Sequence, residues 1–330
     1  MNLGYLLAQW ADSQSDKVAL VFGDLRLTYG EMDRRVNALC HAFSDFGLGK
    51  GDRVAVLTYN CHQFMEIFFA CGGAGMIMVP LNFRLVGREL EYQLNNSGSA
   101  LLFLGEEFQK VIESIRPKLG TVKKYFVIGK PDAGSGMQAY EQLVGRYPQK
   151  RRLLPYEVSL EDEFIIIYTA GTTGLPKGAL LTQMNVLFTS INQIIGFQCT
   201  TRDKTLTMSP MFHVGGSLVL TLPIIHVGGT TIIMKTFDPA KALELIQKEK
   251  ITVLFGVPAM WTAIMQVPGV EKADFSSLRV TVSRGASQPV AILKKINQTF
   301  HVPFTEGYGL SEASSCSSVL MWDHALKKAG

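Results

Sequence analysis

Residues 164–178, which read FIIIYTAGTTGLPKG, join an apolar run to a loop that is dense in glycine and threonine and carries one lysine. Glycine tolerates positive φ angles and close backbone approach, and consecutive N–H groups in such a loop form a nest for an anion. The glycines are Gly171, Gly174 and Gly178, and the donor side chains are Thr169, Thr172, Thr173 and Lys177. The segment predicts a phosphate-binding loop.

The loop does not match the Walker A pattern of P-loop NTPases. That pattern has a glycine directly before its lysine and a serine or threonine directly after it, whereas Pro176 and Gly178 flank Lys177 here. A P-loop NTPase is therefore disfavoured. The alternative without a ligand is a glycine-rich surface loop.

Three further segments carry side chains suited to the same chemistry: SPMFHVGG at 209–216, SRGASQP at 283–289 and EGYGLSE at 306–312. Taken singly, His213 and Tyr308 would be core residues and Glu312 a solvated carboxylate. Together, in this order, the four segments resemble the signature motifs of the acyl-adenylate-forming superfamily, which includes acyl-CoA synthetases, peptide adenylation domains and luciferases. VPLNFRL at 79–85 is similar to acyl-CoA synthetases in particular. The resemblance extends over essentially the whole chain.

The resemblance implies a role for each motif residue. It implies that the loop holds the β- and γ-phosphates of ATP through Thr169, Gly171, Thr172, Thr173, Gly174 and Lys177. It implies that the adenine ring packs on Tyr308 and is bordered by Gly285, Ala286 and Ser287, and that Gly307 and Gly309, on either side of Tyr308, also belong to the nucleotide site. Ser311 contacts phosphate, Glu312 helps to hold Mg²⁺, and His213 stands at the carboxylate end of the acyl pocket. By this resemblance the catalytic residues are Lys177, His213 and Glu312.

The implied reaction is the ATP-dependent activation of a carboxylic acid, first to acyl-AMP and then, with coenzyme A, to acyl-CoA. Little acid–base catalysis is required, because the substrate carboxylate is itself the nucleophile, and positioning and charge neutralisation dominate. We expect a medium- or long-chain fatty acid as substrate. An aryl-CoA ligase of the 4-coumarate or benzoate type stays open, as does a non-catalytic nucleotide-binding remnant.

Two features depart from the family pattern. Arg284 replaces the first glycine of the family's SGGA segment, where it could crowd adenine, point to solvent or pair with a carboxylate. Relatives also continue beyond the EGYGLSE segment, into a β-barrel segment and a mobile C-terminal domain that carries the adenylation lysine. Nothing in the 330 residues matches those parts. We therefore expect an N-terminal fragment that is inactive by itself.

The elements that must position these motifs alternate between apolar strands and helices. This pattern predicts an α/β fold of two stacked βα subdomains, each with a mostly parallel sheet flanked by helices. We expect the first subdomain to span residues 1–155 and the second, with the ATP loop and adenine site, to span 156–330. Gly23-Asp24 predicts a hairpin. Thr182 predicts a helix N-cap, and a further helix is expected to begin at Ser217–Pro223.

Composition limits the remaining possibilities. Hydrophobic residues make up 47% and charged residues 18%, which excludes a disordered chain, and a net charge of +4 without long basic runs argues against nucleic acid. The five cysteines form no CxxC pair, so neither disulfides nor zinc are expected. Two apolar windows, 64–81 and 217–234, are interrupted by glycine and proline, unlike a membrane span. We expect a cytoplasmic protein whose partners are the acid, ATP and CoA; peripheral membrane contact and a homodimer stay open.

Overall fold

The computed structural model describes residues 2–151, 154–169, 174–287, 289–302, 304–320 and 324. In chain order the helices are α1 (Gly4–Ser13), α2 (Tyr29–Asp45), α3 (His62–Ala74), α4 (Gly87–Ser97), α5 (Gln109–Ile115), α6 (Tyr140–Arg146), α7 (Gln183–Gly196), α8 (Val214–Ser217), α9 (Thr221–His226), α10 (Pro239–Glu249), α11 (Pro258–Met265) and α12 (Val290–Phe300). Short 3-10 helices lie at Glu106–Phe108, Arg116–Lys118, Val270–Lys272 and Ser311–Ala313.

The strands are β1 (Val18–Phe22), β2 (Leu25–Thr28), β3 (Arg53–Leu57), β4 (Ile77–Pro80), β5 (Leu101–Gly105), β6 (Lys124–Ile128), β7 (Gln138–Ala139), β8 (Glu163–Thr169), β9 (Lys177–Thr182), β10 (Lys204–Thr207), β11 (Thr230–Ile233), β12 (Val253–Gly256), β13 (Val280–Arg284), β14 (Phe304–Tyr308) and β15 (Ser318–Leu320). The chain folds into two compact units. The first consists of Met1–Lys17 with Leu27–Val186, and the second of Val18–Arg26 with Leu187–Gly330.

The first unit is built on a seven-stranded sheet with the order β7-β6-β5-β3-β4-β8-β9. Its strands pair in parallel except for the antiparallel pair β8/β9. Both faces are buried, as a parallel sheet requires. On β5, Leu102 and Leu104 belong to the core that includes residues of α4 and α5. The alternate residue, Phe103, contacts Phe43 of α2 and Tyr140 of α6.

The second unit is built on an eight-stranded sheet with the order β15-β14-β13-β12-β10-β11-β1-β2. From β14 to β1 the neighbouring strands are parallel, and β15 is antiparallel to β14. On β12, Leu254 belongs to the core that includes residues of α10, α11 and α12. Val253 and Phe255 face the opposite core, which includes Phe197 and the start of α9. Successive side chains of one strand thus belong to the two cores on opposite faces of the sheet.

Local signals explain several element boundaries. Thr28 caps α2 through a reciprocal arrangement with Glu31, as a capping box predicts. Asp238 caps α10 just before Pro239. The expected cap at Thr182 is confirmed, because its hydroxyl accepts the N–H of Asn185 at 3.2 Å. The expected hairpin is also present, with Gly23 at φ +60° between the neighbouring strands β1 and β2.

The α/β prediction with two mostly parallel sheets is confirmed, but the predicted boundary at residue 155 requires correction. The division along the chain falls after Val186, inside α7. The reason is that β8 pairs with β4, Ile165 opposite Met78, and so continues the first sheet. Residues 18–26 join the second unit because β1 pairs with β11. The strands that flank the predicted ATP loop therefore belong to the first unit.

Some elements differ from the sequence prediction in detail. The helix expected from Ser217 is two short helices, α8 ending at Ser217 and α9 beginning at Thr221. The segments α1, α5, α6, α12, β7, β9 and β15 were not predicted. Within the described residues, no helix combines the length and the apolar character that crossing a bilayer would take.

Candidate active site

The predicted phosphate loop connects β8 to β9 in the first unit. Thr169 ends β8 opposite Lys177, the first residue of β9, and the Thr169 hydroxyl donates to the Lys177 carbonyl oxygen at 3.4 Å. The Lys177 side chain is exposed. The antiparallel pair thus delivers one hydroxyl and one ammonium group to the base of the same loop. Gly171, Thr172 and Thr173 lie outside the described residues.

The C-terminal part of this loop rests on α4. The Tyr92 hydroxyl donates to the Pro176 carbonyl oxygen at 3.2 Å, and Gly174 is exposed beside it. A surface groove of about 730 Å³ lies here, lined by Arg88, Tyr92, Asn95, Asn96, Gly174 and Pro176 among others. A Cβ at Gly178 would lie 2.6 Å from the Ile166 side chain, so glycine permits the close strand pairing that follows the lysine.

In the second unit, the other motifs follow the carboxyl ends of neighbouring parallel strands. The strands β14, β13, β12 and β10 are consecutive in the sheet and run in the same direction. His213 follows β10, Gly285–Ser287 follow β13, and Tyr308 ends β14, shortly before Ser311 and Glu312. Ligands of open α/β sheets bind at this edge. The sheet therefore gathers the second-unit motifs on its ligand-binding side.

His213 caps the short helix α8. Its Nδ1 accepts the N–H of Gly215 at 3.0 Å. The ring reaches the surface, while the protein around the rest of it lowers the pKa of His213 by desolvation. The neutral ring with Nδ1 as acceptor carries its proton on Nε2. Nε2–H can therefore donate a hydrogen bond to a substrate carboxylate.

The adenine-site residues predicted after β13 are exposed. Gly285 has φ +94°, a value that favours glycine, and Ala286 and Ser287 are exposed beyond it. This turn ends the strand sharply and leaves the backbone open to a flat ligand. Residue 288 lies outside the described part of the chain.

Strand β14 neighbours β13 on the side opposite β12. An aromatic ring and a carboxylate lie at and after the end of β14. Tyr308 is 66% exposed, and Glu312 is exposed in the 3-10 helix Ser311–Ala313. Exposure of a large aromatic ring at a ligand-binding edge suits stacking on a base. Gly309 cannot carry a side chain, because a Cβ there would overlap the Ser315 carbonyl group. Gly307 is similarly crowded by Arg284.

Two of the three possibilities that the sequence left open for Arg284, pointing to solvent and pairing with a carboxylate, are not found among the described residues. It is only 4% exposed, its side chain lies on Gly307, and its guanidinium lies 5.4 Å from the centre of the Phe197 ring. Nη1 donates to Gln193 Oε1 at 3.3 Å and to the Ser315 carbonyl at 3.4 Å. Both acceptors are uncharged oxygens. Burial lowers the pKa of Arg284. The side chain therefore points inward, away from solvent.

Sequence reasoning missed the polar residues around Arg284. These are Gln193 on α7, Ser314 and Ser315, of which the two serines are buried with left-handed backbones, φ 53° and φ 90°. Their signal was the serine pair that follows the EGYGLSE segment after one intervening alanine, Ala313. Among the described residues no three metal-ligating side chains cluster. Glu312 is a single exposed carboxylate, which is compatible with Mg²⁺ that retains water and phosphate ligands.

Comparison with known proteins places this geometry in a family. The model of the family described as AMP-binding enzyme matches residues 7–330. The chain is 33% identical over 312 residues to a feruloyl-CoA synthase from an Amycolatopsis species, covering 94% of this chain and 60% of that protein. It is 31% identical over 334 residues to the long-chain-fatty-acid–CoA ligase FadD13 of Mycobacterium tuberculosis, covering 100% of this chain and 64% of that protein.

A solved structure extends the likeness to the backbone. The inhibitor-bound N-terminal domain of FACL13 from Mycobacterium tuberculosis matches with a TM-score of 0.92 at 29% identity, over 100% of this chain and 81% of that one. The chain belongs to the AMP-binding enzyme family, and the resemblance to acyl-adenylate-forming enzymes is confirmed. It spans less than two thirds of the length of the two curated relatives named above.

Proposed function

We propose that the protein containing this chain activates a carboxylic acid with ATP to acyl-AMP and transfers the acyl group to coenzyme A. The observation that carries the proposal is the arrangement in the second unit, where His213, Gly285, Tyr308 and Glu312 follow neighbouring parallel strands at one edge. The family match supports the same reaction class.

The first half-reaction joins the acid to the nucleotide. A carboxylate oxygen attacks the α-phosphorus of ATP, the new P–O bond forms, and the bond to pyrophosphate breaks. His213 orients the carboxylate through Nε2–H, and Tyr308 holds the adenine ring by stacking. Lys177 neutralises phosphate charge. Positioning and charge neutralisation supply most of such a rate enhancement.

The second half-reaction releases the nucleotide. The CoA thiolate attacks the acyl carbonyl carbon, the thioester bond forms, and AMP leaves with both electrons of the acyl–oxygen bond. Mg²⁺, when bound, would neutralise phosphate charge, and Glu312 would hold it. The resemblance assigns the adenylation lysine to a later part of the relatives, so the assays use the full-length protein.

The substrate class has two candidates. A medium- or long-chain fatty acid is supported by the 31% identity to FadD13, which is named a long-chain-fatty-acid–CoA ligase. An aryl acid is supported by the 33% identity to a feruloyl-CoA synthase. A binding protein without catalysis is the rival from another class, and the test below separates it from both.

A cytoplasmic location is part of the proposal. The five cysteines, all of them among the described residues, form no disulfide, and four of them are buried, as in proteins of a reducing compartment. Contact with a membrane surface and assembly into a homodimer stay predictions.

The proposal is tested by ATP- and CoA-dependent pyrophosphate release from the full-length protein, with octanoate, palmitate, benzoate, 4-coumarate and several amino acids. We expect saturable activity with one acyl class and its loss in Lys177→Ala and Glu312→Ala. Lys272→Ala, which removes another exposed lysine, is the control and should retain activity. A folded protein that binds ATP but releases no pyrophosphate with any acid would favour the binding role.

A further inference from the structure

The second unit contains an unusual concentration of buried polar groups without partners. Six buried side-chain N or O atoms of the described residues lack a hydrogen bond, and four of them belong to Arg284, Ser314 and Ser315. These four are Arg284 Nε and Nη2 and the two serine hydroxyl oxygens. Buried donors are nearly always paired in folded proteins, so this cluster calls for an acceptor.

The charge of Arg284 makes the missing acceptor more significant. An arginine stays protonated in proteins, and a buried charge is costly unless it is paired. The two acceptors of Nη1 are uncharged and distant, at 3.3 and 3.4 Å. The cation–π contact with Phe197 offsets part of the cost. The Cys316 thiol also interacts with the guanidinium, but among the described residues neither Nε nor Nη2 has a hydrogen-bond partner.

The identity of the free donors indicates what they would bind. Nε–H and one Nη2–H lie on the same edge of a guanidinium and form the fork that a carboxylate accepts with both oxygens. The Ser314 and Ser315 hydroxyls add two donors nearby. The acceptor most complementary to this set is a carboxylate.

The neighbours hold the guanidinium in place. The Gln193 amide group is fixed by donating to the Leu218 and Thr189 carbonyls at 2.8 and 3.3 Å, which turns Oε1 towards Arg284. On the opposite side, the absence of a Cβ at Gly307 leaves room for the side chain. The covering turn has two non-glycine residues with left-handed backbones, Ser314 and Ser315, and strain of this kind persists at ligand sites.

The position of Arg284 connects it to the acyl site. Val280, Val282 and Arg284 alternate with Thr281 and Ser283 along β13, so they share one face of the sheet. Val280 and Val282 belong to the core that also contains Phe255. A Cβ at Gly215, two residues after His213, would lie 3.5 Å from the Phe255 ring. His213 and Arg284 thus belong to the same face and the same edge of the second-unit sheet.

We infer that Arg284, with Ser314 and Ser315, binds a second carboxylate carried by the acyl substrate. This inference rests on the proposed function, in which His213 orients the carboxylate that is activated. It narrows the substrate class to acids with an anionic group at the distal end. A simple alkyl or aryl tail would offer no acceptor to Nε and Nη2, which have no hydrogen bond among the described residues.

The test compares paired acids on the full-length protein. Dicarboxylic acids from three to eight carbons and monocarboxylic acids of equal carbon number are assayed for kcat/KM of pyrophosphate release. We expect the dicarboxylic acids to be preferred, by about 10- to 100-fold for the best length, as for a hydrogen-bonded charged group. Arg284→Gln should reduce that preference ratio by a similar factor, and Arg284→Lys should keep part of it because it keeps the charge without the fork.

The ratio of kcat/KM for dicarboxylic acids to kcat/KM for monocarboxylic acids distinguishes a loss of carboxylate recognition from a general loss of activity. A misfolded or slowed enzyme lowers both acid series together, whereas loss of the second-carboxylate contact lowers the ratio. Arg202→Gln removes an exposed arginine of the same unit and should leave the ratio unchanged. A wild-type enzyme that prefers monocarboxylic acids, or a ratio that Arg284→Gln does not change, would overturn the inference while leaving the proposed function intact.

Direct binding decides the inference without catalysis. Calorimetric titration of the full-length protein with each dicarboxylic acid of the series should show, for the one that binds most tightly, an affinity that weakens about 10- to 100-fold in Arg284→Gln. If no acid of either series releases pyrophosphate, the proposed function fails and the titration alone judges Arg284. Equal affinity of wild type and Arg284→Gln for the dicarboxylic acid would overturn the inference by itself.

Discussion

The Tyr140 hydroxyl donates to Glu66 Oε2 at 2.6 Å in the interior of the first unit, and both side chains are fully buried. Glu66 Oε1 accepts from Arg35 Nε at 2.8 Å and lies 2.7 Å from His62 Nδ1. Burial raises the pKa of Glu66, but the hydrogen bonds and charges of His62 and Arg35 outweigh it, and the pKa is lowered overall. Glu66 is thus an ionised centre that joins α3 to α2 and α6.

We predict that Glu66→Gln destabilises the protein by about 3–5 kcal/mol, because it removes one partner of a buried ion pair. Chemical unfolding monitored by tryptophan fluorescence measures the change. Glu141→Gln is the matched control, since Glu141 also pairs with Arg35 but is 56% exposed. Its cost should stay below about 1 kcal/mol. Equal effects of the two substitutions would contradict the role given to burial.

The same carboxylate predicts a pH dependence of stability. A folded-state pKa below the ordinary value of 4.5 means that ionised Glu66 stabilises the fold above that pH. This contribution is lost as the pH falls from 4.5 through the lower folded-state pKa. Unfolding midpoints measured from pH 3 to 7 should therefore decline at acid pH less steeply in Glu66→Gln than in wild type. Parallel declines would show that other groups control acid unfolding.

Periodicity predicted the two parallel sheets but not how the chain is shared between them. Apolar strands such as Phe164–Thr169 read alike whichever sheet they join, so the pairing of β8 with β4 was not visible. Capping, in contrast, is local, and Thr182 was correctly predicted. Glu66 lies inside an apolar window, and its partners Arg35 and Tyr140 are far away in sequence, which concealed the network.

The sequence also predicted only part of the candidate site. The motifs identified Lys177, His213, Tyr308 and Glu312, but whether each role holds stays a prediction. The direction of the Arg284 side chain was accessible in principle, because Val280, Val282 and Arg284 share a two-residue period. What the sequence could not supply was that no charged partner lies beside Arg284 among the described residues, because its surroundings depend on α7 and on the turn at Ser314 and Ser315.

The protonation of His213 predicts that activity falls at acid pH. Its pKa is lowered from 6.5 by desolvation, so the ring is neutral at pH 7 and gains a proton only below 6.5. We expect kcat/KM to fall over that acid range, because protonation breaks the Nδ1 hydrogen bond with Gly215 and misorients the ring. The measurement is pyrophosphate release by the full-length enzyme between pH 5 and 8.

His213→Asn provides the comparison for that profile. Its side-chain oxygen can still cap α8, since asparagine is a favoured N-cap residue, but it does not titrate. Activity should drop by about 10- to 100-fold, as for one lost charge-assisted hydrogen bond, and the acid limb should disappear. An unchanged limb would assign it to another group.

The contact between Gly307 and Arg284 predicts that the cost of adding a side chain at position 307 depends on Arg284. A Cβ at position 307 would overlap Arg284 Nε and lie 2.9 Å from its Cδ. Gly307→Ala should therefore cost about 1–3 kcal/mol through overpacking. In the double variant Gly307→Ala/Arg284→Gly the cost of the alanine should largely vanish, and the coupling energy from the double-mutant cycle measures the contact. Gly196→Ala, with no neighbour within 4 Å of the added Cβ, should be tolerated; additivity in the cycle would contradict the contact.

Tyr308 gives a test of nucleotide binding that does not depend on turnover. The ring is 66% exposed, so Tyr308→Ala should change stability by less than about 0.5 kcal/mol. Loss of stacking on adenine should nevertheless weaken ATP binding by about 1–3 kcal/mol. Calorimetric titration of the full-length protein with ATP measures this, and Tyr308→Phe should bind like wild type because stacking needs the ring and not the hydroxyl. Phe188→Ala, which removes another exposed aromatic ring of the second unit, 53% exposed, should also leave affinity unchanged. If Tyr308→Ala binds ATP as tightly as these controls, adenine does not stack on Tyr308, and the base must lie elsewhere along the carboxyl edge of the sheet.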